Sequence, residues 1–410
     1  MELLRTNRNY RLLFSASSIS NLGDGIAAMA LPWLATLLSR DPFAIAMVAM
    51  AMRMPWFLFS LPIGVLTDRL DRRLLMVQAD VFRVILTLGI IAVIFSGPAL
   101  PQTTGGNNLI WVLALIAFLM GTAEVFRDNA AQTMLPSIVP KSTLETANGQ
   151  MWSAEQIMGS FVGPPLAGIL IALWVPLPFS ANLLAFALSA WALWCIRITK
   201  FAPPKRRQFL KELSEGMHWM WQHKIILRFA LMLGLLNALG TMTMTVFVLF
   251  SQEILGLGAF MHGVLMTAGA LGGVAGGLLC PKIIARLGQR NSVLTALALF
   301  PLPAFAIFLT SNLWIVAIAL FIEMFAAILW NIVTVSYRQR FIPDNLLGRV
   351  NSIYRFFGWG MMPIGAFAAG YIIYLAEPVI ERELSLRLPW VIAAIGNVIL
   401  FVYGSVRLRF

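Results

Sequence analysis

Apolar residues in this chain run in long stretches separated by short charged turns. Twelve such stretches lie at 12–38, 43–67, 74–96, 109–135, 147–174, 178–197, 225–251, 259–286, 292–310, 313–340, 349–375 and 389–407, numbered α1 to α12. Each is long enough to cross a bilayer, which takes about 20 helical residues. In lipid every backbone group must find its partner within the chain, so runs of this kind are helices. The strict alternation of a membrane barrel is absent. One long polar break, 198–224, divides the pattern into two sets of six. It opens with Pro203, Pro204, Lys205, Arg206 and Arg207. Phe209, Leu210, Leu213, Met217, Met220 and Trp221 then recur at helical spacing, which predicts an amphipathic helix lying on the inner membrane face. The expected organisation is an N-terminal bundle (1–197), this linker (198–224) and a C-terminal bundle (225–410).

Composition agrees with a lipid solvent. Of 410 residues 59% are hydrophobic and 12% charged, against about 25% charged in soluble domains. The net charge of +12 could suggest nucleic acid, but the basic residues sit in the short turns, as topology signals do. One set of turns holds Arg5, Arg8, Arg11, Arg69, Arg72, Arg73, Lys205, Arg206, Arg207, Lys282, Arg286, Arg290, Arg338, Arg340, Arg349, Arg407 and Arg409. The other holds Arg40 and an acid-leaning segment from Glu377 to Arg387. The basic set predicts that both termini are cytoplasmic. The first apolar run has no cleavage-type flank and is expected to be a retained helix. Cys195 and Cys280 stand alone, and His218, His223 and His262 show no ligand spacing. No metal site, cofactor or nucleic-acid partner is expected. With no nucleotide loop and no nucleophile–base set, neither is an enzyme.

The two halves echo one another in order. Asn21-Leu-Gly in α1 matches Asn237-Ala-Leu-Gly240 in α7. Gly64 to Arg73 matches Gly277 to Arg290. Val139-Pro140 to Asn148 matches Ile342-Pro343 to Asn351. Such a repeat implies two pseudo-symmetric bundles with a site between them near the midplane, reached alternately from either side.

Residues 54–76 hold Gly64, Asp68, Arg69, Arg72 and Arg73 in a tight turn between α2 and α3. This pattern resembles the signature loop of the major facilitator superfamily, with Asp71 where that family usually has glycine. Asn7-Arg8-Asn9-Tyr10-Arg11-Leu12-Leu13-Phe14, Ser20-Asn21-Leu22-Gly23-Asp24-Gly25 and Glu124-Val-Phe-Arg127-Asp128-Asn129 resemble, more narrowly, the branch of macrolide-efflux proteins and the enterobactin exporter. The resemblance covers essentially the whole chain. It implies an all-α membrane protein with twelve transmembrane helices in two six-helix bundles, multi-pass in a bacterial cytoplasmic membrane and monomeric. It also implies that Gly64, Asp68, Arg69, Arg72 and Arg73 form a cytoplasmic gate, with Asp68 meeting the start of α11 and Asp128 pairing with Arg72 or Arg69.

Ionisable residues at bilayer depth cost at least about 2.5 kcal/mol on insertion scales and call for a reason. Asp24 lies midway along α1, near Asn21; its counterpart in α7 is Thr241, near Asn237. Asp24 fits a proton-coupling acid or a structural carboxylate between helices. Glu124, Arg127 and Asp128 share one face of α4. Glu124 fits a cavity role with protons, and Asp128 a lock on the charged turn. Arg53 in α2 either pairs with Asp24 or Glu124 or reaches the outer headgroups. Glu323, Trp330 and Asn331 on α10 fit substrate contact or interhelical hydrogen bonding.

In α5, Gly159 and Gly163 form a small-residue face for close helix contact, and Pro164 and Pro165 should bend the helix. Gly159, Gly163, Pro164 and Gly168 resemble the superfamily's antiporter signature, with Ala167 in place of one glycine. The resemblance implies export in exchange for protons. Methionine-rich, charge-poor helices suit amphipathic organic molecules such as drugs, macrolides or siderophores. The alternative is a facilitator importing a nutrient or lipid-like solute.

Overall fold

The computed structural model describes residues 2–97, 100–101, 108–140, 143–197 and 209–408. Among these, helices carry the apolar runs to within about seven residues at either end: α1 Arg8–Leu38, α2 Pro42–Arg69, α3 Arg72–Ser96, α4 Leu109–Ile138, α6 Leu177–Trp194, α7 Lys224–Glu253, α10 Leu313–Phe341 and α12 Arg382–Arg407. Eleven helical segments are long and apolar enough to cross a membrane. One of them, Ala259–Leu309, has 51 residues and is broken at Gly288, where φ is 76° and ψ is 168°. Gly288 therefore separates α8 from α9, which gives the twelve crossings. That backbone region is essentially open to glycine alone. The corresponding turn between α2 and α3 carries Asp71 instead, and its side chain accepts a hydrogen bond from Leu74 N at 3.1 Å. The residue that departs from the family pattern is thus the N-cap of α3.

α5 is composite. Leu144–Glu155 is α-helical, Gln156–Val162 is a π-turn and Gly163–Leu173 is α-helical again. Pro164 and Pro165 lack the N–H groups that would close the preceding turns. The wider turn absorbs the mismatch, with Gly163 N bonded to Met158 O. Where a bend was expected at the prolines, the structure shows a π-turn just before them.

The chain divides into two compact units, 1–40 with 51–207 and 41–50 with 208–410. The first turns of α2 thus belong to the second unit, where Phe43 packs on Phe367 and Tyr374. Within each unit the same helix pairs are in closest contact. In the first unit, a Cβ on Gly163 of α5 would lie 2.6 Å from the Gly25 backbone of α1. A Cβ on Gly121 of α4 would lie 2.6 Å from Met52 O of α2, and one on Gly23 of α1 2.8 Å from Phe186 of α6. In the second unit, Gly365 of α11 abuts Ala238 of α7, Gly272 of α8 abuts Phe321 of α10, and Gly396 of α12 abuts Leu239 of α7. These are the counterpart pairs α1–α5 and α7–α11, α2–α4 and α8–α10, α1–α6 and α7–α12. The repeat read in sequence is a repeat of contacts.

The linker helix Phe209–Gln222 packs within the second unit. Met220 and Met217 join its core, and Arg349 pairs with Glu215 at 2.5 Å. The outer faces carry exposed Leu173, Trp191, Leu278 and Trp314, as lipid-facing surfaces do.

Candidate functional site

A chain of buried charges crosses the first unit. α3 packs against both α4 and α6, and α1 packs on α6, so side chains from four helices converge. Asp80 and Arg83, one turn apart on α3, are 0% and 1% exposed, and Arg127 of α4 is 1% exposed. Arg83 forms an ion pair with Asp24 and lies 3.5 Å from Asp80. Arg127 Nε lies 3.0 Å from Asp80 Oδ1, and Arg127 Nη1 lies 3.7 Å from Asp128. The order is therefore Asp24, Arg83, Asp80, Arg127, Asp128, with alternating sign.

Neutral groups fix its members. Ser189 of α6 donates to Asp80 Oδ2 at 2.6 Å. Arg83 Nη1 donates to Ser20 Oγ at 3.0 Å, and its guanidinium stacks 3.9 Å from the Phe186 ring. Arg127 Nη2 donates to Ala16 O at 3.3 Å. Gly23 leaves the room that Phe186 occupies. Glu124 lies close enough for its charge to act on Arg83 and Asp128, and Glu155 of α5 acts on Asp128. The centre of the chain is sealed. Its two ends are not: the side chains of Asp24 and Asp128 are 23% and 30% exposed.

Sequence reasoning found Asp24, Glu124, Arg127 and Asp128 and missed Asp80 and Arg83. The signal was present, since an Asp and an Arg three residues apart interrupt the apolar run 74–96. Of the two readings of Arg53, pairing with Asp24 is not the one seen: Arg53 is exposed, and Asp24 pairs with Arg83. Nor does Asp128 meet Arg72, which donates to Thr133 O at 2.8 Å. Arg73 donates to Ile196 O at 2.8 Å and lies over the Trp194 ring. Gly64, Asp68 and Arg69 are helical in backbone, but their surroundings lie outside the described residues, as do those of Gly348.

In the second unit Asn237 Nδ2 donates to Gly358 O at 2.9 Å, tying α7 to α11. Glu323 is half-buried, 3.9 Å from where a Cβ on Gly240 would stand. Thr241 is half-buried and Asn331 exposed. Trp330, read as a candidate cavity residue, is a core residue at 1% exposure, edge-on to Phe229. In α5, Gly163 and Pro164 are buried, and Gly159 supplies the backbone against which Gly25 packs.

The sequence pattern described as transmembrane secretion effector matches residues 4–396. The chain belongs to that family. It is 26% identical to the multidrug efflux pump Tap of Mycolicibacterium fortuitum over 379 residues, 88% of each chain. It is 25% identical to macrolide efflux protein A of Streptococcus pyogenes over 248 residues, spanning 58% of this chain and 57% of that protein's length. Among solved structures, a bacterial homologue of the iron transporter ferroportin in an inward-facing state superposes with a TM-score of 0.73. That match has 17% identity and covers 98% of this chain and 99% of that one. The nucleoside transporter NupG also superposes with a TM-score of 0.73, at 13% identity over 98% and 99% of the two chains. These likenesses establish the major facilitator fold, and family and fold are those of membrane transporters.

Proposed function

We propose that this chain is a proton-coupled exporter of amphipathic small organic molecules. It works by alternating access in a bacterial cytoplasmic membrane, with both termini inside. The observation that carries this reading is the charge balance of the buried site. Asp24, Asp80, Glu124 and Asp128 face two guanidiniums, Arg83 and Arg127. Two carboxylates are in excess. Replacing a buried ion pair by apolar residues is often neutral or stabilising, so retaining this many charges at bilayer depth argues for use rather than for stability. The excess favours uptake of positive charge, as protons or as a cationic group on a solute, and disfavours anions. Asp24 and Glu124 are the proton-coupling acids in this reading. Asn21, Asn237, Thr241, Glu323 and Asn331 contribute to the solute path. Gly64, Asp68, Arg69, Arg72 and Arg73 form the cytoplasmic gate, and Gly159, Gly163, Pro164 and Gly168 the antiport element. The efflux relatives support the outward direction.

The test is survival of a pump-deficient bacterial host on a panel of toxic amphiphiles, with the wild type, Asp24→Asn and Glu124→Gln expressed to equal levels. Wild-type protein should confer resistance that both variants lose. Unchanged resistance in both removes the proton-site assignment. In vesicles, solute uptake driven by an inward proton gradient without counterflow would identify an importer instead.

A further inference from the structure

We propose that Asp80 is a switch point shared by two alternative pairings of the buried ion chain, with Arg83 and Arg127 as positioning residues that carry charge information between Asp24 and Asp128. The contacts alternate close and loose along the chain. Arg83 is close to Asp24 and 3.5 Å from Asp80. Arg127 is 3.0 Å from Asp80 and 3.7 Å from Asp128. The two loose contacts are the close contacts of a second pairing, in which Arg83 belongs to Asp80 and Arg127 to Asp128. A shift of about 1 Å at each guanidinium brings either loose contact to the 2.7–2.9 Å of a charge-assisted bond. Asp80 itself is held, by Ser189 at 2.6 Å. Arg83 has a buried Nε without a hydrogen-bond partner and rests on the face of Phe186, so its guanidinium is not locked by a full set of acceptors. A short chain with two discrete arrangements is the kind of element through which two sites can be coupled.

Positive charge arriving at Asp24 releases Arg83 to Asp80. Arg127 is then displaced from Asp80 toward Asp128, which no longer attracts positive charge of its own. The reverse order follows by linkage. The two partly exposed ends thus compete for one proton or cation, although the carboxylate between them is fully buried. Glu124 on α4 and Glu155 on α5 add negative charge near Arg83 and Asp128. Among the described residues, α6 contributes Ser189 and Phe186, which do not titrate. The inference rests on the proposed exchange of protons for solute, and it supplies a reason why the two should exclude one another.

The test is an infrared carboxyl titration of the full chain in nanodiscs, with bands assigned by Asp24→Asn and Asp128→Asn. Groups that interact strongly titrate as a pair, so Asp24→Asn should move the midpoint of Asp128 by at least about one pH unit. In an Asp80→Asn background the same substitution should move it by no more than about a third of that, the size expected of uncoupled sites. Asp80→Glu, which keeps the carboxylate, should keep the coupling. Asp80→Asn/Arg127→Gln removes a charge pair together and serves where the single variant does not fold. An equal shift with and without Asp80, or no shift in the wild type, overturns the switch. Intact coupling in a chain whose drug resistance ignores Asp24→Asn would remove the exporter mechanism and leave the switch standing.

Discussion

The close contact of α1 with α5 makes an uneven prediction for three glycines that a motif would treat alike. A Cβ on Gly163 would stand 2.6 Å from Gly25 Cα and C and 2.9 Å from Ile26 N. Carbon atoms pack best at about 3.5–4.0 Å, so the two backbones would have to part by about 1 Å. Both partners are main chain, and no side chain can turn aside. Overpacking of this kind costs about 1–3 kcal/mol. Alanine in place of glycine in a helix returns about 0.5–1 kcal/mol. Gly163→Ala should therefore destabilise by up to about 2.5 kcal/mol net. Gly25→Ala should be at least as damaging, since its Cβ would press on Gly159 Cα at 2.8 Å and abut Gly159 O. Gly159→Ala differs, because its Cβ would meet only Asn21 O at an ordinary 3.6 Å. That variant should match or exceed wild type. The measurement is the midpoint of loss of the monodisperse peak after heating detergent-solubilised protein. If Gly163→Ala survives heating as well as Gly159→Ala does, the backbone-on-backbone account of this crossing is wrong.

Three further substitutions probe the fold at other points. Gly288→Ala places a side chain at φ 76° and ψ 168° and should cost about 1–3 kcal/mol, whereas Gly277→Ala, with nothing within 4 Å of its Cβ, should be neutral or stabilising in the same heating assay. Tyr10→Phe removes a buried hydroxyl that donates to Gln150 Oε1 at 2.8 Å and should lower stability by about 0.5–1.5 kcal/mol; an unchanged midpoint would show that this bond contributes nothing net.

The helices and their number were legible because lipid imposes a length and an apolar content on every crossing; small residues mark where crossings are tight but not which helices meet there. Gly159 and Gly163 announced a close neighbour without naming it, and the structure names α1. The hairpins were legible for a similar reason: Asp71 and Gly288 each solve a local backbone problem with a local residue. Which acid meets which arginine was not legible. Asp24, Asp80, Glu124 and Asp128 are all within reach of some guanidinium by helix number alone. The choice of Arg83 for Asp24 depends on how α3 is rotated against α1 and α6. Arg53 was a reasonable partner for Asp24 by depth, but it is exposed and Asp24 pairs with Arg83. Trp330 failed as a cavity residue for the converse reason, since position on a helix face does not say which neighbour covers it.

The repeat also separates what is needed twice from what is needed once. Close crossings recur in both units because each bundle must pack its own helices, and glycine solves that problem wherever backbones meet. The charges do not recur. Thr241 stands opposite Asp24 in the repeat, and Asn331 opposite Asp128. α9, the counterpart of α3, has no charged residue between Asn291 and Leu309. Each ionised group at bilayer depth is costly, so duplicating the whole chain would tax insertion of both halves for one exchange event. A coupled set of acids and arginines in one unit alone suffices if protons are handled in the first bundle and the second shapes the solute path. On that division, moving an acid into the second unit by Thr241→Asp should not restore resistance to Asp24→Asn. The second unit repeats no counterpart of Asp80 and Arg83 in α9, so an acid there has no guanidinium chain of its own to act upon, and recovery of resistance would show that any carboxylate at this depth serves.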